Sequence, residues 1–216
     1  MSGTMRDSPG WRERLMACTS GAAFLISAYT LWETTLKRSD LRIFVPPVIQ
    51  YAAPYQNSNF EVLAIPVTFA NESARTAVAM SMELVVTDPR SKASKLFYSA
   101  DLGLWTMERT RNRAYQPFAP LPLAGRATRT EVVLFYTRGD DQKPEQILRE
   151  TGPYQFKLTV EEEAAGEPGW LDRLSGRKPA SVAFERELRG YDARAFQSGT
   201  LAMFAKDWRS TASAAP

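Results

Sequence analysis

Two absences limit the residue types that could do chemistry in this chain. Histidine is missing from all 216 residues, and Cys18 is the single cysteine. Serine–histidine and cysteine–histidine nucleophiles, histidine metal ligands and multi-cysteine zinc or iron–sulfur sites are therefore excluded. An intramolecular disulfide is excluded for the same reason. Any catalysis would have to use carboxylates, lysine, tyrosine or serine.

Paired carboxylates could hydrolyse a glycosidic bond if two acids faced each other across a cleft. The acids within predicted strands are Glu83, Asp101, Glu131, Glu185 and Glu187. Strand alternation places Glu83 opposite the apolar face that carries Met82 and Leu84, so we interpret these acids as a solvated sheet face. We therefore predict that the protein is not an enzyme. A hydrolase that uses only carboxylates is kept as a further alternative.

Two other patterns could hold a cation or activate a nucleophile. The acidic runs 140–141 and 161–163 offer oxygen ligands for calcium, but they lack the alternating ligand spacing with a turn glycine. Ser91, Ser94 and Lys95 could form a serine–lysine dyad, but their segment has the composition of an exposed turn, which implies no pocket that excludes water. The sequence predicts neither a metal site nor a cofactor.

Three arginines alternate in the segment 107–113, at Arg109, Arg111 and Arg113. On an extended strand these side chains share one face. That face could bind lipid phosphates or an acidic partner, and we predict it as a partner-binding edge. The alternative is a solvated edge that protects the sheet against aggregation.

An uncharged run indicates a membrane helix near the N-terminus. The 18 residues from Leu15 to Trp32 carry no charge and would span roughly 27 Å as a helix. Trp11, Tyr29 and Trp32 fall where interfacial aromatic residues are found. We predict a short tail over residues 1–14 and a transmembrane helix over 15–34. A cleaved signal peptide is the alternative, but no small-x-small site closes the run.

Small residues recur at four-residue intervals along this span. Ala17 and Gly21 form one line, and Ala23 and Ser27 belong to a second line that begins at Thr19. Small side chains allow membrane helices to approach closely. We predict Ala17, Gly21, Ala23 and Ser27 as a helix-packing surface, although alanine-rich helices also produce this spacing by accident.

Beyond residue 38 the pattern changes to short strands separated by turn residues. The seven predicted strands are 41–45, 60–70, 78–87, 95–105, 128–136, 154–160 and 180–188. Met80, Met82, Leu84 and Val86 alternate with less apolar residues, as a half-buried antiparallel strand requires. Seven strands with little helical periodicity predict a two-sheet antiparallel β-sandwich over residues 39–190.

The segment Thr151-Gly152-Pro153-Tyr154-Gln155-Phe156 resembles the late strand of immunoglobulin-like domains, where a tyrosine stands at the corner between sheets. The resemblance covers roughly residues 41–190, and the chain lacks the paired cysteines and central tryptophan of antibody domains. It also resembles single-pass bacterial membrane proteins that carry one such sandwich. The resemblance implies an all-β, immunoglobulin-like fold preceded by a single transmembrane helix, and it leaves function open.

Two segments depart from the strand pattern. Trp170, Leu171 and Leu174 have helical spacing before a stop at Gly176, and we predict them as partner-facing surface. In the extension 191–216, Leu201, Phe204 and Trp208 follow an i, i+3, i+7 line. This line predicts a short amphipathic helix.

The charge balance guides the choice of partner. The chain has 27 basic and 24 acidic residues, a surplus that is too small to favour nucleic acid. We predict a non-catalytic, membrane-anchored accessory or scaffold subunit in contact with the lipid bilayer and with integral membrane proteins of a larger complex. Its sandwich would be periplasmic or extracellular, with no small-molecule substrate evident. The alternative is a membrane-tethered module that binds sugar, lipid or peptide.

Overall fold

The computed structural model describes residues 10–36, 39–53, 61–103, 116–137, 146–162, 179–189 and 200–208. Six residues predicted to bind partners lie outside these ranges: Arg109, Arg111, Arg113, Trp170, Leu171 and Leu174. Their predicted role therefore stays a prediction.

The N-terminal helix α1 runs from Trp11 to Leu31 and continues into a π-helical turn over Trp32–Leu36. Its side chains remain outside any core, with Phe24 72% exposed and Leu25 68% exposed. The stretch Trp11–Thr34 has a mean hydropathy of 1.4 in its most apolar window. The predicted helix is confirmed, and it is long and apolar enough to cross a membrane. A signal sequence near the N-terminus would have the same properties.

The polar side chains of α1 bond to its own backbone. The hydroxyl of Thr19 donates to the carbonyl oxygen of Leu15 at 2.9 Å, and that of Thr30 donates to Ile26 at 2.8 Å. Such bonds to the preceding turn satisfy hydroxyl groups without water. The threonines are therefore compatible with an apolar environment around the helix.

The remaining described elements are strands. They are β1 (Leu41–Phe44), β2 (Val48–Ala52), β3 (Val62–Asn71), β4 (Ala77–Thr87), β5 (Ser94–Leu102), β6 (Gln116–Pro117), β7 (Leu121–Leu123), β8 (Thr128–Thr137), β9 (Gly152–Glu162), β10 (Ala180–Leu188) and β11 (Thr200–Phe204). Neighbouring strands pair in antiparallel fashion.

Eight of these strands close into a barrel, so the predicted immunoglobulin-like β-sandwich is wrong. The order is β5-β8-β3-β2-β11-β10-β9-β4, and the β4–β5 hairpin joins the two ends through Glu83–Thr87 and Ser94–Tyr98. Alternation along a strand determines which face is buried, but it does not determine which strands pair. The sequence pattern is therefore compatible with a closed barrel and with two facing sheets.

Alternating side chains from these strands fill the barrel. Phe69, Phe97, Phe135 and Tyr51 are fully buried, and Phe156 stacks on Phe184 with ring centres 5.1 Å apart. An eight-stranded barrel has an interior that side chains alone can fill. The barrel core is accordingly a packed core and not a channel.

The amphipathic helix predicted on Leu201, Phe204 and Trp208 is also wrong. Thr200–Phe204 forms β11, which pairs with β2 and places Leu201 and Met203 in the core. Phe204 stacks on Trp208 with ring centres 5.3 Å apart. Leu201 and Met203 follow the two-residue period of a strand, which competes with the three- and four-residue spacing that suggested a helix. The barrel therefore extends past residue 190.

Tyr154, on which the immunoglobulin-like resemblance rested, bonds to the backbone of the segment before β9. Its hydroxyl donates to the carbonyl oxygen of Glu150 at 2.8 Å and accepts from the Glu150 amide at 3.2 Å. These bonds fix the start of β9 against the preceding segment. The tyrosine thus stabilises a local bend before β9, and this bend belongs to a barrel.

Candidate functional site

A buried ion pair joins the beginning of β3 to the beginning of β5. The Nζ atom of Lys95 donates to Oε2 of Glu61, and the side chains are only 7% and 0% exposed. Lys95 lies between exposed Ser94 and Leu96, so strand alternation directs its side chain inward. Buried charges are tolerated when they are paired and hydrogen-bonded, and this pair meets both conditions.

The carboxylate of Glu61 receives two further hydrogen bonds at its other oxygen. The Tyr51 hydroxyl donates to Oε1 at 2.8 Å, and the Ile147 amide donates to the same atom at 2.9 Å. Gln146 in turn donates from Nε2 to the Tyr51 oxygen at 3.1 Å. Burial, and then the charge of Glu61, raise the pKa of Tyr51 far above its ordinary value. Tyr51 therefore stays protonated as a hydrogen-bond donor.

A cleft of about 370 Å³ opens beside this pair. It lies between the β4–β5 hairpin and the segment that precedes β9. The lining residues are Asp88, Ser91, Ala93, Ser94, Lys95, Gln146, Ile147, Arg149, Glu150 and Tyr154. Ser91, Ser94 and Lys95 were expected to imply no pocket that excludes water; they line this open cleft, and chain segment 146–150 forms its opposite wall.

The hairpin wall is held by Asp88. One oxygen of its carboxylate accepts hydrogen bonds from the amide and from Nε of Arg90, and the other accepts from Ser91. Partial burial tends to raise the pKa of Asp88, but these hydrogen bonds outweigh it and lower the pKa below 3.8. Arg90 also donates to the Thr151 carbonyl oxygen at 2.6 Å and to the Tyr154 hydroxyl at 3.0 Å. Arg90 therefore connects the two walls.

We expect Asp88→Asn to make the stability of the fold less dependent on pH in the acidic range. A carboxylate with a lowered folded-state pKa stabilises the fold above its ordinary pKa of 3.8, and that contribution disappears as the pH falls through the folded-state value. The variant should be less stable than the parent at pH 7, and this difference should shrink below about pH 4. Urea midpoints measured between these pH values test this, with Glu83→Gln on the exposed face of β4 as the control. A constant difference would contradict the assignment.

A second buried cation lies away from the cleft, on the inward face of β10. Arg186 is 6% exposed and donates to the carbonyl oxygens of Pro46 and Glu185. Burial lowers its pKa. These bonds connect β10 to the link between β1 and β2. On the same strand, β10 and its neighbour β11 share a single register pair, Glu187 with Phe204. We assign Arg186 a structural role at this seam.

The predicted helix-packing residues all lie on α1 and are exposed. Each residue of an α-helix advances by roughly 100°, so Gly21 and Ala23 point about 200° apart. Ala17 and Gly21 therefore share one side, and Ala23 and Ser27 share nearly the opposite side. A single partner helix could use one of these lines, and contact with both would need two partners.

Sequence reasoning considered Lys95 only as part of a serine–lysine dyad and missed its buried partners. Glu61 and Lys95 are 34 residues apart, and Gln146 follows Tyr51 by 95 residues, so no short spacing brings them together. The available signal was the inward position of Lys95 in the alternation of β5. Within the described part of the chain, no group of three histidine, cysteine, aspartate or glutamate side chains is arranged to hold a metal ion.

Comparisons with known proteins identify no family. No family model matches the chain, and no curated protein matches it. A Bordetella pertussis protein provisionally described as ApaA is 15% identical, with 79% of this chain and 97% of that chain covered and a TM-score of 0.33. A protein from Archaeoglobus fulgidus is 12% identical, with 67% and 94% covered and a TM-score of 0.35. Both scores are too low to support an argument about fold or function.

Proposed function

We propose that the protein is a single-pass membrane protein whose barrel acts as a non-catalytic accessory or scaffold subunit of a membrane complex. The exposed apolar surface of α1 carries this proposal. Phe24, Leu25 and Ile26 are each about two-thirds exposed or more, whereas the barrel buries a core of its own. Covering such a side chain is worth about 1.5–3 kcal/mol, so lipid or partner helices would stabilise α1 strongly.

The ends of α1 support a bilayer position for the helix. Trp11 and Arg12 stand at its first turn, where the guanidinium lies 5.9 Å from the indole ring centre. Tyr29 and Trp32 stand at the other end. Tryptophan and tyrosine are enriched at the two membrane interfaces. An integral protein should stay in the membrane pellet after alkaline washing, whereas release into the supernatant would contradict the proposal.

The orientation proposed here places the N-terminus inside and the barrel in the periplasm or outside the cell. The positive charges that flank α1 are nearly balanced, so they do not oppose this orientation. A cysteine introduced at exposed Ser181 in a Cys18→Ser background should react with an impermeant maleimide on intact cells. Reaction only after lysis would reverse the orientation.

Association through α1 is the more specific part of the proposal. We expect Gly21→Leu or Ala23→Leu to reduce the amount of co-purifying membrane protein about tenfold, because a leucine on the docking line prevents close approach. Particles extracted in a mild detergent would be compared by size and composition. Ala22→Leu, which points between the two lines, is the matched control. Unchanged particles for both variants would exclude docking through either line.

A second candidate function is a membrane-tethered binding module. The cleft between the β4–β5 hairpin and segment 146–150 favours it, since its 370 Å³ lies within the range of small-molecule sites. A chain that extracts as a monomer, with no accompanying protein, would support this candidate over the accessory subunit.

A further inference from the structure

We propose that the cleft binds a small molecule through a carboxylate group, with Lys95 as the anchoring cation. This inference rests on the second candidate function, the binding module, and names the ligand class. It does not depend on what α1 contacts.

The side on which the cleft meets the buried ion pair favours an anionic group on the ligand. Lys95 lines the cleft, whereas Glu61 is fully buried and does not line it. A ligand in the cleft would therefore approach the pair from the side of Lys95, while the Glu61 carboxylate is held by the Tyr51 hydroxyl and the Ile147 amide. A ligand carboxylate would meet the ammonium before it meets the Glu61 charge. Charge-assisted hydrogen bonds of this kind are about twice as strong as neutral ones.

The acidic residues of the cleft are already engaged. Asp88 accepts three hydrogen bonds from Arg90 and Ser91, and Glu150 pairs with Nη1 of Arg90 at 3.2 Å. Their repulsion of a ligand carboxylate is therefore reduced. Arg149 adds a second cation to the lining.

The remaining lining suits a ligand with a compact apolar body. Ala93 and Ile147 provide apolar surface, and Ser91 and Ser94 provide hydroxyl groups. The volume is near the lower limit for ligand pockets, so the ligand should be small. A carboxylate on a single aromatic ring meets these requirements.

The walls are held in place before any ligand arrives. The Ile147 amide is bonded to Glu61, and Arg90 bonds to the Thr151 carbonyl oxygen on the other wall. Preorganisation of this kind lowers the cost of binding.

The test uses the full chain in a nonionic detergent, which introduces no competing anionic headgroup. Phenylacetate and phenylacetamide, which differ in charge and scarcely in shape, would be titrated calorimetrically. We expect phenylacetate to bind at least about tenfold more tightly, since a hydrogen bond to a charged group accounts for such a ratio. Equal affinities, or no binding of either compound at millimolar concentration, would overturn the proposal.

Variants locate the binding. Ala93→Trp fills the cleft from its exposed rim and should reduce phenylacetate affinity at least about tenfold, while Ala183→Trp on the exposed face of β10 should not. The double variant Glu61→Gln, Lys95→Met keeps the shape of the pair without its charges and should bind both compounds equally. Full binding by Ala93→Trp would show that the compound binds elsewhere. None of these readouts depends on co-purifying proteins, so the accessory-subunit proposal can fail separately.

Discussion

Lys95→Met is expected to lower the free energy of unfolding by about 3–5 kcal/mol. The substitution removes the cation and leaves the Glu61 carboxylate fully buried with only the Tyr51 and Ile147 donors. An uncompensated buried charge costs far more than the loss of an exposed ion pair. Urea unfolding of the full chain in detergent would measure the change.

The double variant separates charge imbalance from lost packing. Glu61→Gln, Lys95→Met removes both charges at once, so it should recover more than half of the stability lost in the single variant. Lys157→Met, at an exposed position of β9, controls for the loss of one positive charge and should change stability by less than about 0.5 kcal/mol. If Lys95→Met behaved like Lys157→Met, the pair would have to be solvated and not buried.

The elements themselves were largely predictable because each depends on local pattern. The uncharged run gave a helix over 15–34, and α1 with its π-helical turn occupies Trp11–Leu36. Predicted strand 78–87 differs by one residue from β4, Ala77–Thr87. The strand β2 was missed because Pro46-Pro47 ended the first predicted strand. The chain direction is nevertheless preserved in β2, and pairing with β3 resumes at Gln50–Ala52.

The closure of the sheet could not be predicted, because it depends on contacts between distant strands. β3 pairs with β8 along nine register positions, and β4 pairs with β9, whose residues follow β4 by about 70 in the chain. Alternation gives the inward face of each strand in a sandwich and in a barrel alike. The β4–β5 pairing closes the barrel, and the turn 88–93 between these strands carries no residue pattern that specifies closure.

The candidate site was hidden for a related reason. The segment around Lys95 is polar and rich in serine, so its composition indicated a solvated turn. Its burial arises from Glu61, Tyr51 and Ile147, which approach from three other parts of the chain. A lysine is buried only where a counter-charge is present, and the sequence pattern near Lys95 contains no acid that could fill this role.

Gly125→Ala is expected to destabilise the barrel by about 3 kcal/mol or more. The cause is a steric clash with the backbone and not the loss of a charge. A Cβ atom at this position would lie 2.0 Å from the carbonyl oxygen of Ala74 and 2.4 Å from its carbonyl carbon. The neighbouring backbone cannot withdraw freely, because Arg126 donates from its amide to Ser73 at 2.8 Å and Asn71 donates from its side chain to Ala124 at 3.2 Å.

Urea unfolding would compare this variant with Gly10→Ala, whose added Cβ meets nothing within 4 Å. Equal stability of the two variants would show that the turn containing Gly125 and the turn containing Ala74 can move apart without cost. Asn71 ends β3 and Glu61 precedes it, so the Gly125 turn and the buried pair lie at opposite ends of one ten-residue strand. The folded fraction of the Gly125→Ala variant should therefore still prefer phenylacetate to phenylacetamide, since a loss of stability alone does not alter the charges that select the ligand.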